Sequence, residues 1–371
     1  MKIGKIKGIV ISLHLSTLLI VGLIGFYAAD LYATLVPGSS IIILIVVGLI
    51  NGLIILFSIF LHELTHSLIA QKYGLKVSEI EIYLFGGVSK IEQEPQNPKS
   101  EFIISIFGPI SSLIIGAILL ISLFLTPFIP SPILKVTLFY SGISNIGLGI
   151  FNLIPAYPID GGRALRAILW KKRHDMLSAT KTATRVGSFI AYGLMAYGFL
   201  SMFFFGILNG LWFVIIASFL NNQSKHAYRQ TLNEITLSKL SAKELKTMPE
   251  VAIPFNKTVN DAIKNYFIPY KKVYFPVIQG RNVVGIIHLE DIQKIPITQR
   301  NEIIIGYLMK KISQFPRISQ NNTGKDALNK LSQMKDRPHL VVVEDINHND
   351  IIGFIGEEDL LTSLKFFQNN I

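Results

Sequence analysis

The feature that most constrains this chain is a series of apolar runs near 9–29, 40–61, 102–126, 136–157, 186–205 and 207–221. Each is close to the length a helix needs to cross about 30 Å of hydrocarbon. A backbone in lipid must satisfy its own N–H and C=O groups, so runs of this kind predict spanning helices rather than open sheets. After residue 221 the sequence becomes an ordinary mixture of charged and apolar residues, which predicts a membrane half followed by a soluble half. Composition adds two exclusions. With 16% charged and 50% hydrophobic residues the chain fits neither a disordered protein nor a soluble enzyme of average composition. Without cysteine it has no disulfide, thiol nucleophile or thiolate ligand, so any metal must be held by His, Asp or Glu.

The formal charge of +11 is placed asymmetrically. Six crossings put Lys2, Lys5 and Lys7 on the same side as the basic segments 71–101 and 161–185, while the opposite loops, 30–39, 127–135 and 206–210, hold Lys135 alone. The positive-inside rule then predicts a multi-pass protein of the cell membrane with both termini and the soluble half in the cytoplasm. That accounts for the charge without nucleic acid as a partner. Residues 1–35 imitate a signal peptide, but the apolar stretch is too long for one and its removal would spoil the charge parity, so it is read as the first span.

Titratable side chains inside a span are costly and mark function by default. Here they are His14, His62, Glu63 and His66, with Asp160 at the inner end of the fourth run. His62-Glu63-Leu64-Thr65-His66 puts two imidazoles on one helix face about 6 Å apart along the axis, where they can grip one ion. Glu63 stands roughly 100° around the helix, beside such an ion, where its carboxylate can take a proton from water. A catalytic zinc takes three protein ligands and leaves a position for water. The candidate third ligand is Asp160, delivered from a helix broken by Pro155 and Pro158 and followed by Gly161-Gly162. Asn152 is either a donor to a developing oxyanion or interhelical glue, and the residues alone leave both open. His14 is expected to be a buried, satisfied histidine. The small residues Gly108-Pro109 and Ser111-Ser112 are read as helix-packing positions.

HELTH in one span, GPISS in the next and NLIPAYPIDGG at the inner end of a later one together resemble the site-2 protease family of intramembrane zinc metalloproteases. The resemblance covers about 10–221. It implies one zinc ion per chain held by His62, His66 and Asp160, Glu63 as catalytic base, and Asn152 near the transition-state oxyanion. It also implies a single-span membrane protein as substrate. Residues 78–92 alternate as strands and are expected to turn at Gly86-Gly87, forming a hairpin whose edge the family would offer to unwound substrate as an added strand.

The soluble half repeats itself. Thr258–Ile263, Tyr274–Val277 and Val284–Ile292 recur as Thr323–Leu328, His339–Val343 and Ile352–Leu360, an offset of 65 to 68 residues. The unit resembles a tandem CBS pair, which implies an adenine nucleotide effector with Asp291 and Asp359 at the ribose. His288 and Gly356 stand where nucleotide binders carry Ser or Thr, so a ligand-free docking or homodimerisation module stays open. The expected fold class is therefore a polytopic α-helical membrane domain of about six helices with a small β-hairpin, followed by a soluble α/β tandem CBS module. The expected boundaries are 1–221, a linker at 222–240, and CBS motifs at 241–298 and 303–367. A CBS-regulated metal or ion transporter is the rival reading. It predicts polar groups spaced along a path through the membrane, whereas the titratable residues here cluster at one depth.

Overall fold

The computed structural model describes residues 1–371 apart from 84–85, 92–94, 125–130, 335–337, 346–349 and 370–371. The chain divides into two compact units, 1–229 and 230–371.

The first unit opens with β structure where a span was expected. β1 (Lys2–Ile6) and β2 (Ile9–Leu13) form an antiparallel hairpin in which Ile6 opposes Ile9. Its two-residue loop is Lys7-Gly8, both at positive φ (47° and 87°), as a type I′ turn demands. The β-branched run Ile9-Val10-Ile11 suits a strand better than a helix end. The first apolar helix, α1 (Thr17–Leu35), consequently starts eight residues later than the apolar run at residue 9. His14 falls in the strand-to-helix junction, exposed, with Nδ1 2.8 Å from Ser16 Oγ, so the expectation of a buried histidine is overturned.

The remaining helices are α2 (Ile41–Lys72), α3 (Pro98–Ser122), α4 (Pro132–Leu153), α5 (Asp160–Arg173), α6 (Met176–Phe205) and α7 (Ile207–Lys239). Their starts follow from local chemistry. Ser40, Asn97, Ser131 and Asp175 cap α2, α3, α4 and α6 with side-chain oxygens on free N–H groups, and Pro98 and Pro132 open α3 and α4. Among the described residues five helices, α1 to α4 and α6, are long and apolar enough to cross a membrane. The sixth expected run, 207–221, is the first half of α7, which continues as helix through the stretch read as a linker. Part of the expected 127–135 loop lies outside the described residues.

β3 (Val77–Tyr83) and β4 (Gly86–Ile91) make the anticipated hairpin. Gly86 and Gly87 are not its turn: they lie on β4, opposite Tyr83 and Ile82. β2 pairs parallel with β3, so the sheet has four strands in the order β1-β2-β3-β4. Ile9, Ile80 and Ile82 of this sheet pack with Ile55, Ile59 and Ala70 of α2 in one buried cluster, which lays the sheet on the helix carrying HELTH.

The second unit shows the duplication directly. β5 (Ile253–Pro254) runs parallel to β6 (Tyr274–Gln279), which is antiparallel to β7 (Asn282–His288), with β8 (Lys310–Lys311) added beside β7. β9 (Arg317–Ser319), β10 (Leu340–Asp345) and β11 (Asp350–Gly356) repeat that order and polarity. Even the register shift recurs, between Val277 and Ile278 in one sheet and Val343 and Glu344 in the other. The two sheets meet through Ile286, Phe315, Leu340, Val342 and Phe354.

Candidate metal centre

His62 and His66 project from the second half of α2 and are buried, 4% and 7% exposed. The third group arrives from the expected break, but on a helix of its own. α4 stops at Leu153, the segment 154–159 bends, and Asp160 is the first residue of the separate helix α5. Pro155 and Pro158 account for the break, since neither can donate a helical hydrogen bond. Asp160 Oδ2 lies 3.1 Å from His62 Nε2 and 3.0 Å from His66 Nε2, and the two Nε2 atoms are 3.1 Å apart. Among the described residues this is the cluster of His and carboxylate groups that could hold a metal ion.

The chemistry of the donors tests whether a cation fits. His66 Nδ1 is 2.7 Å from the carbonyl of Ile104, which can only accept, so the proton sits on Nδ1 and the Nε2 lone pair faces the cluster. His62 Nδ1 is 2.9 Å from Ser112 Oγ. Lone pairs and a carboxylate oxygen this close repel unless positive charge lies among them. Tetrahedral zinc ligands stand about 3.3 Å apart, within a few tenths of an ångström of the spacing seen here. Two imidazole nitrogens and one carboxylate oxygen also suit zinc in type and leave one position open.

Glu63 points to a neighbouring place. Its Oε2 accepts from Ser89 Oγ of β4 at 2.9 Å, and Ser89 Oγ is 2.9 Å from Ser67 Oγ, which pins the hairpin to α2. A Cβ on Gly87 would lie 2.2 Å from Glu63 Cγ, so β4 reaches this close only with glycine there. Gly108 of α3 does the same for His66, with 2.1 Å between an added Cβ and Nε2. Gly108 and Ser112, read as packing residues, thus support the two imidazoles. Their signal was their spacing: four apart on α3, as His62 and His66 are four apart on α2.

Arg166 corrects a second reading. Counted among the loop cations of 161–185, it is instead 1% exposed, and both its Nε and Nη2 donate to Glu101 Oε1, at 2.6 and 2.5 Å. Its guanidinium also lies over the Tyr157 ring, 4.9 Å from the centroid. The pair ties α5, which begins with Asp160, to α3, which supports both imidazoles. Asn152 is half-buried and donates to Leu148 O at 2.9 Å, within its own helix and outside the three-residue cluster.

In the second unit Asp291 pairs with Lys294 at 3.0 Å. Asp359 Oδ2 accepts from the Gly356 N–H at 2.7 Å, and burial raises its carboxyl above the ordinary range. Burial and the Asp359 charge together push Tyr274 up to about 12.

Known proteins match both halves of the chain. The model of peptidase family M50 matches residues 51–136 and 128–194, and that of the CBS domain matches 242–297. A zinc metalloprotease of Methanocaldococcus jannaschii is 29% identical over 368 residues, spanning 99% of this chain and 96% of that protein. Rip3 of Mycobacterium tuberculosis is 24% identical over 368 residues, 99% of this chain and 93% of its own length. A solved structure of a site-2 protease from Methanocaldococcus jannaschii is 34% identical and covers 60% of this chain and 94% of that one, with a TM-score of 0.41. The chain is thus a multi-pass membrane protein that belongs to peptidase family M50, the site-2 protease family of metalloproteases, with a CBS region after its membrane helices.

Proposed function

We propose that this protein is a zinc-dependent endopeptidase that cuts a single-span membrane protein within its transmembrane segment, with His62, His66 and Asp160 as metal ligands and Glu63 as general base. The observation that carries the reading is the convergence of two imidazole nitrogens and one carboxylate oxygen within 3.1 Å of each other, with Glu63 next to His62 in the chain. Zinc, when bound, supplies a Lewis acid for the scissile carbonyl and acidifies water. The protein's own groups do the rest. Ile104 O and Ser112 Oγ fix the two rings. Ser89 holds the Glu63 carboxylate, which accepts a proton from water and returns it to the leaving amine. Asn152, rotated away from Leu148 O, would donate to the oxyanion. A helical substrate hides its peptide bonds in its own hydrogen bonds and must unwind locally. β4 is an edge strand whose outer side is left unpaired by the other three, and it suits an added strand that satisfies the freed groups.

Metal analysis of the purified full-length chain, combined with cleavage of a single-span reporter, tests this. One zinc per chain in the parent, loss of metal in Asp160→Ala and His66→Ala, and retained metal without cleavage in Glu63→Gln are expected. Retained cleavage in Glu63→Gln, or undiminished zinc in Asp160→Ala, would sink the assignment.

The reading extends to an adenine nucleotide effector at Asp291 and Asp359, which occupy equivalent positions of the repeat. Because Asp359 already accepts the Gly356 N–H, a ribose would share that carboxylate. A ligand that binds only the folded state raises the unfolding midpoint with concentration. No shift with saturating ATP would remove this extension and leave the protease assignment standing.

A further inference from the structure

α6 and α7 form an antiparallel pair: an added Cβ on Gly198 would lie 3.0 Å from Gly210 O, and one on Gly187 would lie 2.9 Å from Ser224 Oγ. Toward the polar end of the pair lies a cleft of about 440 Å³. Lys181 and Arg185 face it from α6 and Lys225 from α7, and no Asp or Glu lines it. Among the described residues none of these three cations has an ion-pair partner. Lys181 and Arg185 stand four apart on one helix face, an arrangement that repels unless an anion sits between or beside them. Ser188 and Tyr228 add hydroxyl donors. Depth narrows the ligand. The apolar stretch of α6 begins just after Arg185 and that of α7 ends at Leu220, so the cleft lies where hydrocarbon gives way to headgroups. Phe189 at its margin is 78% exposed, an apolar surface that a lipid chain would cover and a soluble anion would not.

We propose that this cleft binds the phosphodiester headgroup of an anionic membrane lipid, with Lys181, Arg185 and Lys225 around the phosphate. The cleft is linked to the bend that precedes Asp160. Ser224, on its wall, donates to the carbonyl of Tyr157, three residues before Asp160. Ala156 of the same bend packs against Ala191 of α6 and Leu220 of α7. A headgroup here therefore braces the helix pair against which the Asp160 bend rests.

The test uses the full-length protein in phosphatidylcholine nanodiscs, titrated with phosphatidylglycerol and read by native mass spectrometry. The parent should bind one phosphatidylglycerol in clear preference to phosphatidylcholine. The triple variant Lys181→Gln/Arg185→Gln/Lys225→Gln should weaken that binding at least about tenfold, given what each interfacial cation contributes. Lys72→Gln/Lys76→Gln/Lys171→Gln, an equal charge loss at exposed sites elsewhere, should weaken it less than about threefold. Ser188→Phe, which fills the cleft without touching its charge, should match the first triple. Equal losses in the two triples, or full binding in Ser188→Phe, would overturn the proposal. So would displacement of the lipid by an equal concentration of glycerol 3-phosphate, since that would assign the cleft to a soluble phosphate.

Discussion

The two units handle polarity in opposite ways. Among the described residues every buried polar or charged side chain lies in the first unit, including His62, His66, Glu101, Arg166, Asn51 and Asn145, except Thr231 and Thr236 on the last turns of α7. Beyond them the buried positions are apolar: Val277, Ile287, Val341, Val343, Phe354 and Ile355. Conversely the helices of the first unit expose Phe26, Phe189 and Phe203. A surface in lipid gains nothing from being polar, so the polar groups a membrane protein keeps are turned inward and must find partners there. Ser141 Oγ donating to Asn51 Oδ1 at 2.9 Å, between α4 and α2, is one such partnership. The lesson is that burial carries different information in the two halves. A buried polar residue in the first unit marks a site or a clamp, while a buried residue in the second marks the packing of a repeat.

Substitutions can break this contrast, and the largest expected effect is at the base. Glu63→Gln should lower the cleavage rate by about 10²- to 10⁴-fold, the usual contribution of a positioned proton acceptor, with metal content unchanged. Next is the buried ion pair. Arg166→Met leaves Glu101 without its guanidinium partner and should cost about 3–5 kcal/mol, read as a drop in the unfolding midpoint in detergent. Glu101→Leu/Arg166→Met together should recover most of that loss. If the single variant is as stable as the parent, the clamp between α3 and α5 is not what fixes the Asp160 bend.

In the second unit Phe354→Ala should also cost about 3–5 kcal/mol, through the cavity left between the two sheets. It should leave zinc bound, so a variant that loses metal would show that packing in the repeat is not separable from the centre. Ser112→Ala removes the partner of His62 Nδ1 and should weaken metal affinity about 10- to 100-fold, measured by competition with a chelator.

The smallest effect is at Asp359. Its folded carboxyl is raised, so the ionised form is disfavoured by folding. Stability from this group is full below the unfolded value and is lost as pH rises through the folded value. Asp359→Asn should therefore be slightly more stable than the parent at pH 7, with the gain vanishing below about pH 4, where the carboxyl is protonated in both states. A thermal series across that range checks the sign.

How much of this was legible in the sequence differs residue by residue. His62 and His66 were readable because a helix repeats locally, and the matched strands of the repeat were readable because Val277 and Val343 recur in equivalent settings. The start of the first span was not. Ile9-Val10-Ile11 is apolar enough for lipid, and its pairing with both β1 and β3 makes it a strand. Arg166 looked like one loop cation among seven because nothing near it in sequence announces Glu101.

By itself the sequence determined that apolar helices cross a membrane, that one of them carries two histidines and a glutamate on neighbouring faces, and that a duplicated α/β unit follows. Those properties come from periods of two and 3.6 residues and from the cost of placing charge in hydrocarbon, which hold whatever the tertiary fold. Only the tertiary structure decided that Asp160 meets His62 across 98 residues, that Ser89 of β4 holds Glu63 across 26, and that Arg166 is locked to Glu101 across 65. Contacts between residues so far apart are set by how helices and strands pack against one another, and no local pattern encodes that.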